Sequence, residues 1–562
     1  MALSEPCRVA VIGGGISGLA AAFELAGARD KGGLLLDIVL VEAGRSLGGK
    51  IQTTQFARRQ VDMGPDAFIA RRPEAIRLCR ELGIEEELTH PATTGASVYA
   101  RGKLRELPDG LALGVPTKLA PLARSRILGA RGLARASVDL LRVAPTRTKQ
   151  RTAKPGALQV SAGGPGPAPA NLSIGADRSA GADRSIGEMI SRRMGSQVVD
   201  LLADPLIGGI HAASVKEMSS AAVFPALLDA YGGGGSLMRA LRPRPALDPP
   251  SSGPPASPES PEPPPAVFAT MRSGLGYLVD QLHETVASMG VAVRTSSEVT
   301  AVERSDGCWT LRLSCGVPTS EETLRVDAVV LAVPPWQAAR VLSADGAGEG
   351  SGQIPGGPQT ASPWSHARAS GDPVGTCQSM AALLGQIRWS DVALVTLELD
   401  EAAFEKADAR RGYPLRGTGF LVPANSGTLM TACTWLDAKW AHLRRPSTRL
   451  VRISAGRHED RRQAELDDDD LVERLLGDLD RLTGISTEPR AQMVKRWPRA
   501  FPHYRVGHLD LVKEIRARAR SLPYVTLAGA AYGGVGIPAC IGSGREAARE
   551  LLVMLSEKVA GT

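Results

Sequence analysis

The stretch from Arg8 to Glu42, RVAVIGGGISGLAAAFELAGARDKGGLLLDIVLVE, constrains the fold more than any other part of the chain. Residues 8–12 are an apolar run too short for a helix and stopped by glycine, which predicts a buried strand. Gly13, Gly15 and Gly18 follow at G-x-G-x-x-G spacing, with Gly14, Ile16 and Ser17 between them. Residues 17–28, rich in Ala and Leu, predict a helix, and 35–41 a second strand closed by Glu42. Strand, glycine turn, helix, strand and acid is the order a dinucleotide site requires. Gly13 allows the tight turn, Gly15 puts no Cβ between backbone and pyrophosphate, and Gly18 lets helix and strand approach. The helix N-terminus offers unpaired N–H groups to phosphate. Glu42 is placed to accept ribose hydroxyls and to repel a 2′-phosphate.

Six residues after Glu42 comes the doublet Gly48-Gly49 in EAGRSLGGK, then VDMGPDAF. A Gly-Gly pair alone is most simply a surface turn. In this context it resembles the extended fingerprint of the FAD-dependent amine oxidase and protoporphyrinogen oxidase superfamily, which favours FAD over NAD. The resemblance continues through LPDGLALGVPTKLAP, ADPLIGGIHAASVKEMS and AGAAYGGVGIPACIGSG. It covers nearly the whole chain outside three low-complexity stretches. GVGIP stands where amine oxidases carry a glutamate-bearing glycine motif. The G-V-P-T-K segment resembles the Gram-positive branch, whose members oxidise coproporphyrinogen III.

The low-complexity stretches, 154–185, 242–265 and 346–371, are Gly/Ala/Pro/Ser-rich. They bury too little apolar surface to fold alone and are expected to be disordered inserts. Around them, 1–95, 266–340 and 490–562 are expected to form a discontinuous FAD-binding domain. Segments 96–153 and 186–241 would form a helical substrate subdomain. Alternating runs at 392–399 and 429–435 place a substrate-binding antiparallel sheet within 372–489. The implied fold class is α/β: a FAD-binding Rossmann-like (GR2-type) domain, an inserted α+β substrate domain, and a helical subdomain able to associate with a membrane. Locally, the pattern predicts helices over 73–82 and 467–482 and a hairpin across Arg101-Gly102. It also predicts a strand over 524–527, then a glycine loop and a helix from about Ile541.

Seven scattered cysteines without a C-x-x-C pair argue against a disulfide framework or a zinc site, so no metal is expected and reduced thiols are. The nucleotide-binding strand begins almost at once, so no signal peptide is expected, and no apolar run is long enough to cross a bilayer. A cytoplasmic location, peripheral to the inner face of the membrane at most, follows. The net charge of +7 is uneven: Lys118 to Lys154 holds ten Lys and Arg against one acid, Asp139. Apolar residues interleave with Arg124, Arg126, Arg131, Arg135 and Arg142, as in a basic amphipathic helix at an anionic membrane or at the mouth of an anionic-ligand site. A solvated face on a basic protein is the plainer alternative. No aromatics interleave, which argues against nucleic acid.

By the resemblance, Gly13, Gly14, Gly15, Ile16, Ser17 and Gly18 would bind pyrophosphate, and Glu42 the ribose. Gly48, Gly49 and Lys50 would flank the phosphates, and Gly64, Pro65, Asp66 and Ala67 would border the flavin. Val299 would offer backbone to the adenine, Trp497 belongs to the cofactor shell, and Val535, Gly536 and Ile537 would close the site. Mitochondrial and plant-type members carry a propionate-binding arginine twelve residues before the proline matching Pro108; here that position is Ala96. This leans toward the coproporphyrinogen branch, whose substrate bears four propionates against two. Arg71, Arg72 and Arg101 would suit such an anion, with Arg71 and Arg101 the substrate candidates.

The implied reaction is a six-electron aromatisation in three steps, each sending a hydride to the flavin and a proton from a pyrrole nitrogen. O₂ would reoxidise the flavin to give H₂O₂, and product would pass to other heme-pathway enzymes. His211 and Asp66 are conceivable bases, but no catalytic residue is assigned. The alternatives are protoporphyrinogen IX oxidation, a flavin amine oxidase or carotenoid-type desaturase, and a non-catalytic binding protein of the same architecture, like the Rab GDP-dissociation inhibitors. Scarce aromatics argue against an amine cage, a basic chain against a lipid channel, and the intact fingerprint against a non-catalytic protein.

Overall fold

The computed structural model of the chain describes residues 6–30, 34–143, 183–243, 266–305, 307–316, 320–343 and 373–561. It opens with β1 (Cys7–Ile12), α1 (Ile16–Asp30) and β2 (Leu36–Val41), then the hairpin β3 (Thr53–Phe56) and β4 (Arg59–Asp62). The pair β5 (Ser97–Ala100) and β6 (Lys103–Glu106) precedes the helices α2 (Leu119–Ser125), α3 (Ala130–Ser137) and α4 (Ile186–Met194). The chain continues through β7 (Ala292–Arg294), β8 (Ser297–Ser305) and β9 (Ala328–Leu331) into β10 (Trp389–Asp400), β11 (Gly419–Leu421), β12 (Met430–Trp435) and β13 (Thr448–Ala455). It closes with α5 (Asp468–Thr483), β14 (Ala491–Pro502), β15 (Val525–Leu527) and α6 (Ile537–Gly561).

Two sheets organise these elements. The first is parallel, in the order β7-β2-β1-β9-β15. Its central strands are short and mostly apolar, as a sheet covered on both faces demands, with the charges Arg8 and Asp37 paired at 2.7 Å at its start. Successive connections from β1 leave in opposite directions, which opens a crevice at its carboxyl end. The helix α1 lies against the sheet at backbone distance: a Cβ on Gly18 would stand 1.8 Å from the Gly13 carbonyl oxygen. On its other side, a Cβ on Gly544 of α6 would stand 2.0 Å from the Ser17 oxygen.

The second sheet has seven strands in the order β14-β10-β13-β12-β11-β5-β6, antiparallel except for β11 with β5. The runs at 392–399 and 429–435 fall on β10 and β12. The segment 490–562 is divided: β14 pairs along β10 in this sheet, while β15 joins the parallel sheet. Likewise β5 and β6, from the segment assigned to the helical subdomain, extend this sheet. Arg101 and Gly102, at φ 55° and 76°, form their two-residue turn.

The basic segment is not one long amphipathic helix. Arg126 adopts φ 53° at the end of α2, and α3 starts only after Gly129, so the chain turns between two short helices. Leu122, Ile127 and Leu128 are buried in the helical core, whereas Leu141 and Val143 are exposed. The acid of this segment, Asp139, is buried and caps a short helix through Leu237 N (3.1 Å) and Met238 N (3.0 Å). Among the described residues no helix is long and apolar enough to cross a membrane.

Of the expected inserts, 346–371 lies wholly outside the described residues, and 154–185 and 242–265 do so except at 183–185 and 242–243. One edge is ordered: Asp183 accepts from Ser219 Oγ (2.7 Å) and Gly507 N (3.0 Å), and Ser185 caps α4 through Glu188 N (3.1 Å). Composition hides this because an aspartate and a serine read as loop until their tertiary donors are known. The last helix starts at Ile537, four residues before the predicted Ile541, since Gly536 at φ 109° turns the chain and Pro538 suits a first helical turn.

The helical subdomain is tied to the seven-stranded sheet by a buried ion pair, Arg457 with Asp204 at 2.9 Å. Asp204 sits in a π-helical stretch, Val199–Gly208, and also accepts from Val215 N at 3.0 Å. Asp204→Ala strands the buried guanidinium and should cost about 3–5 kcal/mol. Hydrogen exchange should show residues 186–240 opening first; unchanged protection there would refute this role.

Candidate active site

The carboxyl end of β1 delivers the glycine turn to the crevice. Gly13 N donates to Val41 O and Gly48 N to Gly14 O, both at 2.8 Å, so fingerprint and doublet lie side by side. Most of these glycines are packed: a Cβ on Gly14 would meet Leu47 at 2.4 Å, and one on Gly13 the Ala332 oxygen at 2.9 Å. Gly15 differs, because a Cβ there would meet nothing within 4 Å. Gly536 is likewise open, and a Cβ on Gly49 would touch only Gly15, at 3.4 Å. Open glycines therefore gather where α1 begins, at Ile16 and Ser17, and where α6 begins, at Ile537. A cradle that protein side chains leave unfilled, between two helix N-termini, fits the diphosphate of FAD.

Glu42 stands beside the cradle. Its Oε2 accepts from Gly14 N and its Oε1 from Gly44 N, each at 2.7 Å, which fixes the carboxylate and leaves each oxygen a lone pair for a hydroxyl donor. The adjoining strand β8 carries a bulge between Val299 and Ala301, which breaks the ladder where backbone contacts to an adenine are expected.

The loop Gly64, Pro65, Asp66 and Ala67 follows β4 and rests on the second sheet. Trp497 Nε1 donates to Met63 O at 2.8 Å, and its ring lies 3.7 Å from where a Gly64 Cβ would be. Lys50 turns toward β14: its Nζ donates to the Ala500 carbonyl and to Arg499 O (3.2 Å), 5.3 Å from the centre of the Trp389 ring. Burial lowers its pKa to about 8. Burial also disfavours the Asp66 carboxylate, but Lys439 and Arg452 outweigh it and hold the group well below the usual range. Lys439 Nζ donates to Asp66 at 2.8 Å and Trp440 Nε1 at 3.0 Å. So held, Asp66 is a poor proton acceptor.

His211 is buried, its Nδ1 has no partner among the described residues, and burial lowers its pKa to about 4. It packs 5.8 Å from the Tyr504 ring as a neutral imidazole. The arginines are not brought together. Arg71 is exposed a few residues after the 64–67 loop, and Arg72 pairs with Glu74 at 2.7 Å. Arg101 tips the β5–β6 hairpin toward the opposite edge of the sheet from Trp497, five strand spacings or roughly 24 Å along the sheet. Val535 packs against the helical subdomain's core.

Lys439, Trp440 and Arg452 were not singled out by sequence. Only Arg452 left a signal, as the one charge in the apolar run LVRIS at a position facing the interior.

Comparison with known proteins agrees with this geometry. Residues 16–552 match the model of the flavin containing amine oxidoreductase family. The chain is 30% identical over 549 residues to the coproporphyrinogen III oxidase of Bacillus subtilis (strain 168), covering 98% of each. It is 29% identical over 580 residues to that of Propionibacterium freudenreichii subsp. freudenreichii, covering 97% of this chain and 91% of the relative. A crystal structure from Exiguobacterium sp. 255-15, provisionally assigned as a protoporphyrinogen oxidase, superposes with a TM-score of 0.71 at 25% identity, over 99% of this chain and all of the other. With the diphosphate cradle, the fixed carboxylate and this full-length likeness together, the chain belongs to the flavin-containing amine oxidoreductase family.

Proposed function

We propose that this oxidoreductase converts coproporphyrinogen III to coproporphyrin III in porphyrin biosynthesis, using FAD and O₂. The observation that carries the reading is the full-length likeness to coproporphyrinogen III oxidases around an intact cofactor cradle. Bound FAD supplies the hydride acceptor, and O₂ its reoxidant with release of H₂O₂. The chain supplies position and electrostatics. In this reading Gly13 to Gly18 with Gly48, Gly49 and the Lys50 backbone hold the diphosphate, and Glu42 and Val299 the adenosine. Gly64 to Ala67, Trp497 and Val535 to Ile537 frame the ring. Arg71, exposed beside that frame, is the better placed candidate for a propionate, and Arg101 would act only at the periphery. The net positive charge draws a tetra-anionic substrate inward. Exposed Leu141 and Val143 beside Arg142 would provide peripheral contact with an anionic membrane from the cytoplasmic side.

Aerobic turnover of the FAD-loaded protein on coproporphyrinogen III and protoporphyrinogen IX, followed by porphyrin fluorescence and H₂O₂, tests the substrate. Coproporphyrinogen is expected to be oxidised faster. The opposite preference would reassign the substrate within the family. Fluorescence no higher than without enzyme, with flavin bound, would remove porphyrinogens altogether.

Gly15→Val tests the cradle. Its side chain enters space free of protein atoms, so the fold should survive, yet FAD affinity should fall about tenfold or more, about 1.4 kcal/mol. Unchanged FAD binding by a folded variant would mean that Gly15 does not face the diphosphate.

A further inference from the structure

Three consecutive carbonyls where β4 runs into the flavin-side loop are held by side chains of the seven-stranded sheet. Arg452 donates from NH2 to the Asp62 carbonyl and from NH1 to Gly64 O at 3.2 Å. Between them, Trp497 Nε1 donates to Met63 O at 2.8 Å. Two residues on, Lys439 and Trp440 grip the Asp66 carboxylate. Each carbonyl from 62 to 64 thus has a donor from the seven-stranded sheet.

Arg452 is the centre of this arrangement. It projects from β13, third from the sheet edge, where it lies opposite Thr396 and Thr434. It is 6% exposed, and its Nε has no partner among the described residues. So deeply buried a guanidinium costs stability unless neighbouring groups compensate it. Here Asp62 and Asp66 face it, with Lys439 as the second cation. The planar fork of arginine can hold two carbonyls two residues apart in fixed directions, which the single ammonium of lysine does not.

We propose that Arg452 is a positioning residue that hangs the 62–66 loop from the large sheet at the height the flavin ring requires, and that its charge favours the reduced flavin. The proposal rests on the reading that Gly64 to Ala67 border the ring. Two-electron reduction adds negative charge to a flavin, and a fixed, water-excluded cation favours the more negative state. The clamp acts through the backbone and the charge through space, so two variants separate them. Arg452→Met removes both; Arg452→Lys keeps the charge and loses the fork.

The test is the FAD dissociation constant by flavin fluorescence, and the two-electron midpoint potential by dye equilibration, on full-length protein whose folding is checked by circular dichroism. Arg452→Met should weaken FAD binding about tenfold and disfavour the reduced flavin about tenfold, a fall of about 30 mV. Arg452→Lys should recover the potential but not the affinity. Wild-type affinity and potential in a folded Arg452→Met overturns the proposal, and recovery of both by lysine overturns the clamp. Should Arg452→Met fail to fold, Trp497→Phe removes the Met63 bond while keeping an aromatic ring at that position and should still loosen FAD; unchanged affinity overturns the suspended loop. No porphyrinogen enters these measurements, so they stand or fall separately from the substrate assignment.

Discussion

The helix α1 touches the turn after β1 on one side and α6 on the other, backbone against backbone. Gly18 and Gly544 make this possible, since a Cβ at either would overlap a carbonyl oxygen. The consequence is geometric. Only a helix seated this deeply starts level with the carboxyl end of β1, and only then do its free N–H groups line the same crevice as Gly15 and Gly49. The start of α6 reaches the crevice by the same close packing. The open crevice at these two helix starts is in this sense a product of backbone contact, and Glu42 inherits its place from β2, the neighbour that β1 pairs with.

The second sheet has a different task. It meets the nucleotide-binding unit through an apolar cluster, Phe56 and Val61 against Trp440, Leu443 and Leu450, and through polar groups: Arg452 and Trp497 on the carbonyls of 62 to 64, Lys439 and Trp440 on Asp66, and Arg59 on Glu398 at 2.6 Å. Such contacts are directional, and leaving any one of them unpaired in the interior is costly. They therefore define one relative placement of the two sheets, where apolar packing alone would tolerate several. The ion pair of Arg457 with Asp204 does the same between this sheet and the helical subdomain.

Much of this was legible in the linear chain. The fingerprint from Gly13 to Gly18, the doublet at Gly48 and the acid at Glu42 are local signals, because a glycine forced by a turn or a close approach tolerates no other residue. The alternation in β10 and β12 was legible for a similar reason, since each strand shows its two faces in its own sequence. The break in the basic segment was not: whether chain continues through Arg126 depends on what Leu122 and Ile127 bury against, and that lies elsewhere. The split of 490–562 between two sheets was hidden too, because a strand's composition does not say which edge it joins.

The sequence by itself determined the strand–glycine turn–helix unit, the preference for FAD and the family, all of which reside in short stretches whose backbone geometry dictates residue type. Only the tertiary structure decided which side chains support the 62–66 loop. Arg452, Lys439 and Trp440 lie more than 370 positions from the carbonyls and carboxylate they hold. An arginine inside an apolar strand announces that a buried partner exists, but the identity of that partner is set by how two sheets meet, and no local pattern encodes that.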